Sequence, residues 1–270
     1  MPRPRARSPL NRPTASAIGR FRSCSERSPA RRRSLAKSTA GSTRAWDSRQ
    51  IDAAVRAAVE GGEALYAVDA EMLASLHPDI IITQDICRVC AVADGDLAPV
   101  GARVISLGPR TLEEVAASVR YLGRELGVAG KGEFWADEML RRIDRVRHAV
   151  AGRTRPRVFL AEWMDPPFAS GHWIPEMVEA AGGLEVMGRA GERSVGTTWE
   201  AVRAARPELV IAAPCGFDEE RATREAALID PGCPVVAVDA DRFFVRPSPS
   251  LARGVEILAR IFHGVDLAAG

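Results

Sequence analysis

The residues best suited to chemistry or to tight binding gather in a few short stretches. Cys87-Arg88-Val89-Cys90 is a CxxC motif, Cys215 sits between Pro214 and Gly216, and Glu162, Asp165 and His172 lie close together in the chain. Two thiols at this spacing can cycle as a redox pair or supply half of a zinc site, whose other ligands would be Cys215, His172 or Asp85. A lone thiolate or the His172 imidazole can instead bind a metal directly. The plainest alternative is reduced cysteines lining a cleft, and five cysteines do not suggest a disulfide framework. Glu162, Asp165 and His172 also suit an acid/base set, and Cys215 beside a helix start suits an activated nucleophile. No phosphate-binding glycine loop, serine-centred elbow or His-Glu metal helix accompanies them, so a binding protein is expected rather than an enzyme.

The elements that must position these groups centre on Arg157 to Trp173, RVFLAEWMDPPFASGHW. The apolar run Val158–Ala161 predicts a buried parallel strand, and 162–173 predicts the loop at its carboxyl end, with rings at Trp163, Phe168 and Trp173. Such a loop forms one wall of a cleft, unless its rings simply pack beneath it. Phe134 is placed in the buried stripe of a helix over 133–150 with Met139, Leu140, Ile143, Val146 and Val150. Thr111 and Glu114 have capping-box spacing ahead of the helix before it, and Asp47 or Ser48 caps a helix running to about Glu60.

Strands are predicted at 79–83, 103–107, 209–213 and 235–238, with helices at 69–76, 174–181, from 198, at 219–227 and at 251–262, and a loop over 239–249. The fold class is α/β, as two Rossmann-like lobes with parallel sheets joined by a long helix. The expected divisions are a basic disordered tail at 1–46, an incomplete amino-terminal lobe at 47–110, a linking helix region at 111–152 and a carboxyl-terminal lobe at 153–270. The net charge of +2 conceals a split, because residues 1–44 hold eleven Arg, Lys37 and one acid, Glu26, leaving −9 on the other 226 residues. That tail has the composition of a disordered segment, and neither nucleic-acid binding nor membrane insertion is expected.

DPPFASGHW (165–173), TTWEAVRAARPELVIAAPCGF (197–217) and PVVAVDADRFFVRPSPSLARGVEIL (234–258) occur in the order and separations of one known family. Together with HPDIIITQD (77–85), they resemble the substrate-binding proteins of cobalamin ABC importers across roughly residues 47–265. The resemblance implies a corrinoid held edge-on between two lobes, an ABC permease as partner, and a monomer. It implies ligand contacts from Asp165, Pro167, Phe168 and Ser170, with Trp163, and from Phe243, Phe244 and Arg246. Asp85, Cys87, Cys90, His172, Trp173, Cys215 and Phe217 lie on the facing predicted loops. Cys87, Cys90, Cys215 and His172 are also the metal candidates. The family's opening strand and helix have no counterpart in 1–46, which reads like a different frame or start joined near Trp46. As written, a cytoplasmic protein is expected, and a periplasmic or cell-surface one if the true start differs. The same fold holding an iron chelate or haem is the second reading, although the only tyrosines, Tyr66 and Tyr121, lie off the predicted cleft loops. A thiol-dependent or metal-binding protein is the third.

Overall fold

Asp47 and Gln50 open the first helix reciprocally. The Asp47 carboxylate accepts the Gln50 N–H at 2.8 Å, and the Gln50 side chain accepts the Asp47 N–H at 3.1 Å, so α1 runs Ser48–Glu60. The computed structural model describes residues 36–38, 45–63, 65–84 and 101–267. Asp85, Cys87, Cys90 and most of the basic tail lie outside the described residues. Strand β1 (Ala36–Ser38) pairs antiparallel with β2 (Tyr66–Val68), whose edge offers backbone groups that need partners. After α2 (Ala70–Ser75), strands β3 (Ile80–Gln84) and β4 (Arg103–Leu107) pair in parallel, in register from Ile80–Arg103 to Gln84–Leu107.

Helix α3 (Leu112–Glu125) starts on Thr111, whose hydroxyl accepts the Glu114 N–H at 3.1 Å. The expected box does not close on Thr111, because the Glu114 carboxylate takes the Arg110 N–H instead, at 2.6 Å. Helix α4 (Ala129–Val150) packs back along α3, and at 1.5 Å per residue its 22 residues span about 33 Å. Its buried stripe is Gly132, Ala136, Met139, Ile143, Val146 and Val150, in steps of four and three. Phe134 departs from the expectation. It lies two residues from both Gly132 and Ala136, on the opposite side of the helix, and is 57% exposed with its ring edge-on to Trp135.

The larger sheet is ordered β10 (Val235–Ala237), β9 (Leu209–Ala212), β5 (Arg157–Met164), β6 (Pro167–Ala169) and β8 (Val195–Gly196), with β7 (Leu184–Glu185) also paired to β5. The β10–β9–β5–β7 pairings are parallel, whereas β6 runs antiparallel to both β5 and β8. Alternation along β5 and β9 divides the interior into two layers. Val158, Leu160 and Ile211 join one cluster with α4, α5 (Ile174–Ala180) and α9 (Leu251–His263), while Phe159, Ala161, Val210 and Ala212 pack with Val202 of α6 (Trp199–Ala204). Two predicted loops contain further elements: β6 lies within 162–173, and the short helix α8 (Ala240–Phe243) lies within 239–249, capped by Asp239. Helix α7 (Glu219–Ala226) follows β9 with Asp218 as its cap.

Candidate functional site

The parallel ladder of β5 with β9 ends at Ala161–Ala212, and the candidate groups lie just beyond it. Glu162 is the bulged residue where the β5–β6 register shifts. Its carbonyl accepts the Cys215 N–H at 3.0 Å, and its carboxylate accepts the Gly171 N–H at 2.7 Å. Glu162 thereby ties together the loops that carry Cys215 and His172. Past the bulge, Trp163 and Phe168 are cross-strand partners, which directs their side chains to one face of the hairpin. The Trp163 ring meets Phe217 edge-on at 5.4 Å, and Phe168 pairs across to Gly196 of β8. The Asp165–Pro166 peptide is cis.

His172 is partly exposed and adopts a left-handed backbone, φ 51°, which is uncommon for a residue with a side chain. Two backbone bonds hold it there, one to the Glu192 carbonyl at 2.6 Å and one from the Gly191 N–H at 2.9 Å. Burial, then the nearby charges of Arg110 and Arg193, push the imidazole below the usual histidine range. The shift favours the neutral imidazole, the form with a ring nitrogen able to accept a proton or a metal. Arg110 belongs to the loop after β4, which reaches this region where the Leu112 N–H donates to Glu176 at 2.6 Å.

Several predicted contact residues face the protein interior. Trp173 is 3% exposed and donates its indole N–H to the Phe244 carbonyl at 2.7 Å, and Phe244 itself is fully buried. Ser170 and Phe217 are each 2% exposed, and Pro167 is buried. Packing removes most of the surface of these residues from water, so little of it is left to face a ligand in this structure. Trp163, Phe168, His172, Cys215, Asp165 and Phe243 remain partly exposed, and Arg246 is exposed and paired with Asp241 at 2.6 Å. Asp165 pairs with Arg49 at 2.8 Å. The Glu162 and Asp165 carboxylates are thus engaged by different partners rather than arranged as a catalytic set. Among the described residues, no group of three or more His, Cys, Asp or Glu converges as a metal site, and Cys87 and Cys90 are not among those residues.

Sequence reading missed Ser48, Arg221 and Glu225. Glu225 looked like one more polar residue of a surface helix, yet it is 6% exposed and bonded to Ser48, 177 positions away in the chain. No local pattern signals a partner at that separation.

A scan of protein-family profiles and a search of curated proteins both returned no match. Solved structures do match. An ABC transporter substrate-binding protein from Listeria monocytogenes EGD-e superposes with a TM-score of 0.63 at 14% identity, covering 73% of this chain and 81% of that one. A periplasmic haem-binding protein solved with two haems matches at TM-score 0.57 and 25% identity, covering 72% and 78%. The fold is that of the class III periplasmic binding proteins. The periplasmic vitamin B12-binding protein of Vibrio cholerae is similar at TM-score 0.50 and 22% identity, covering 72% of this chain and 77% of its own. These neighbours are substrate-binding transport proteins rather than enzymes. In such a class III fold, loops at the carboxyl ends of the parallel strands are the natural place for a ligand. Glu162, Trp163, Cys215 and His172 occupy that position here.

Proposed function

We propose that this chain binds a large, flat, metal-bearing ligand, a corrinoid such as cobalamin in the first reading, as the substrate-binding component of an ABC-type importer or a cytoplasmic relative. The observation that carries the proposal is the Trp163–Phe168 pair, two partly exposed rings on one face of the β5–β6 hairpin, at the carboxyl end of the sheet. Paired rings supply apolar area to a broad macrocycle, and on the adjoining loop burial favours the neutral form of His172, the form that ligates a metal. The solved neighbours include proteins named for haem and for vitamin B12, which supports a ligand of this size.

A haem or iron chelate is the second reading. Its specific support is the pair Arg110 and Arg193, whose charges reach His172 and would meet the carboxylates of an anionic periphery. The partner in the proposal is an ABC permease, and the binding protein itself acts as a monomer outside the membrane. No helix among the described residues is long and apolar enough to cross a membrane. Asp85, Cys87 and Cys90, which lie outside the described residues, stay in the proposal as candidate contacts.

Visible-absorbance and tryptophan-quenching titrations with cyanocobalamin, aquocobalamin and haemin test the proposal. Trp163→Ala and Phe168→Ala should each weaken the bound ligand by about 1–3 kcal/mol. Unchanged affinity in both would remove the hairpin from the site. His172→Ala should alter the visible spectrum of the complex, and an unaltered spectrum would rule out imidazole ligation.

A further inference from the structure

Before α1 leaves as a helix, its leading residues cross the β5–β6 hairpin and α7. Ser48 is 1% exposed. Its N–H donates to Glu225 Oε2 at 3.2 Å, and its hydroxyl donates to the same carboxylate oxygen. Its carbonyl accepts the Trp163 indole N–H at 3.2 Å. The Trp46 carbonyl accepts from Arg221 at 2.7 Å, and Arg221 stands 3.6 Å over the Phe217 ring that Trp163 meets edge-on. Arg49 pairs with Asp165 at 2.8 Å. Trp46, Ser48 and Arg49 therefore engage the same side chains, Trp163, Asp165 and the Arg221–Phe217 pair, that stand around the candidate ligand wall.

Two further observations separate this contact from ordinary packing. Glu225 is a buried carboxylate, which is costly without donors, and both donors the structure gives it come from Ser48. Ser48 is also the only buried residue of α1, so the helix is held down at its leading end and its other twelve residues lack a fully buried anchor. An element anchored by a few polar contacts at one end opens at low free energy. Beside these contacts is a pocket of about 190 Å³, lined by Ser48 and Arg49 together with Met164, Asp165, Glu225 and Ile229.

We propose that Trp46–Arg49 is an internal strap over the Trp163 side of the ligand wall, and that a large ligand reaches this wall only after the strap is released. The proposal rests on reading the β5–β6 hairpin as part of the ligand face. A site that is open only part of the time shows an affinity reduced by the open fraction, so loosening the strap should strengthen binding.

Full-length protein, Ser48→Ala and Arg49→Ala are compared, since each substitution removes one strap contact without altering the wall. Hydrogen exchange over residues 46–52, the fluorescence of 8-anilinonaphthalene-1-sulfonate, and titrations with haemin and cyanocobalamin are read together. Exchange in that segment should accelerate about tenfold in at least one variant, and that variant should show higher dye fluorescence with an unchanged far-ultraviolet spectrum. Whichever of the two ligands binds should bind about tenfold more tightly. Accelerated exchange with unchanged dye and ligand binding would overturn the proposal, because the strap would then cover nothing. Unchanged exchange in both variants would overturn it as well, because these contacts would then hold nothing closed. If dye binding follows exchange while neither haemin nor cyanocobalamin binds any form, the ligand reading fails and the strap stands.

Discussion

Arg142→Ala should destabilise the fold by about 3 kcal/mol, seen as a lower urea midpoint with a similar slope. Arg142 on α4 grips both carboxylate oxygens of Glu256 on α9, at 2.8 and 2.7 Å, and Arg253 adds a third bond at 3.1 Å. Glu256 is 5% exposed, and Leu258 and Val255 beside it belong to the main core. Burial by itself would raise the Glu256 pKa, but the hydrogen bonds and charges of Arg142 and Arg253 outweigh it, leaving the carboxyl below its usual range. The folded pKa is therefore the lower one. The stability contributed by this pair is present above the ordinary carboxylate range and is lost as pH falls through the depressed value. Arg142→Ala should accordingly cost more near neutrality than in acid, and an equal loss at both would contradict the assignment. Replacing both partners with methionine should cost much less, because the damage comes from leaving a buried carboxylate with only its Arg253 bond.

Gly132→Ala should destabilise by about 2 kcal/mol, although alanine is ordinarily the better helix residue by about 1 kcal/mol. A Cβ on Gly132 would stand 2.9 Å from the Gly123 Cα and 3.0 Å from the Val119 carbonyl oxygen, while one on Gly123 would stand 2.7 Å from the Gly132 Cα. These are backbone atoms of two helices in direct contact, so no side chain can rotate to make room. Gly130, two positions before Gly132 in the same helix, has open space where its Cβ would go. Gly130→Ala should leave stability unchanged or raise it by up to about 1 kcal/mol. Thermal unfolding of the two variants side by side decides the point. A gain in both would mean that the helices are free to separate, and a loss in both would mean that alanine harms this helix for some other reason.

The extent to which the site could be read from sequence follows from the range of each signal. Val158–Ala161 and Leu209–Ala212 are short apolar, β-branched runs bounded by turn residues, and both are strands with the expected parallel pairing. Asp47 and Thr198 each open a helix at the expected place, through a side chain accepting a backbone N–H three residues on, whereas the helix capped by Asp239 lies in a stretch expected to be a loop. The hairpin was harder to see. Pro167-Phe168-Ala169 carries a proline and no run of its own, and it becomes a strand because β5 continues past its parallel ladder and offers an edge.

The sequence by itself determined the α/β order, most of the helix starts and the stretch in which the candidate ligand wall lies. Those properties are written in residues three or four apart, or in alternating ones, and need no knowledge of the chain's path. Only the tertiary structure decided which rings stay accessible. Trp163 and Trp173 are the same residue type ten positions apart, yet one stands partly exposed on a hairpin and the other closes the core against Phe244. It also decided that Ser48, Trp163 and Glu225 meet. A residue's exposure and its distant partners depend on how the layers stack, because burial removes surface from water only where another element supplies the opposing face.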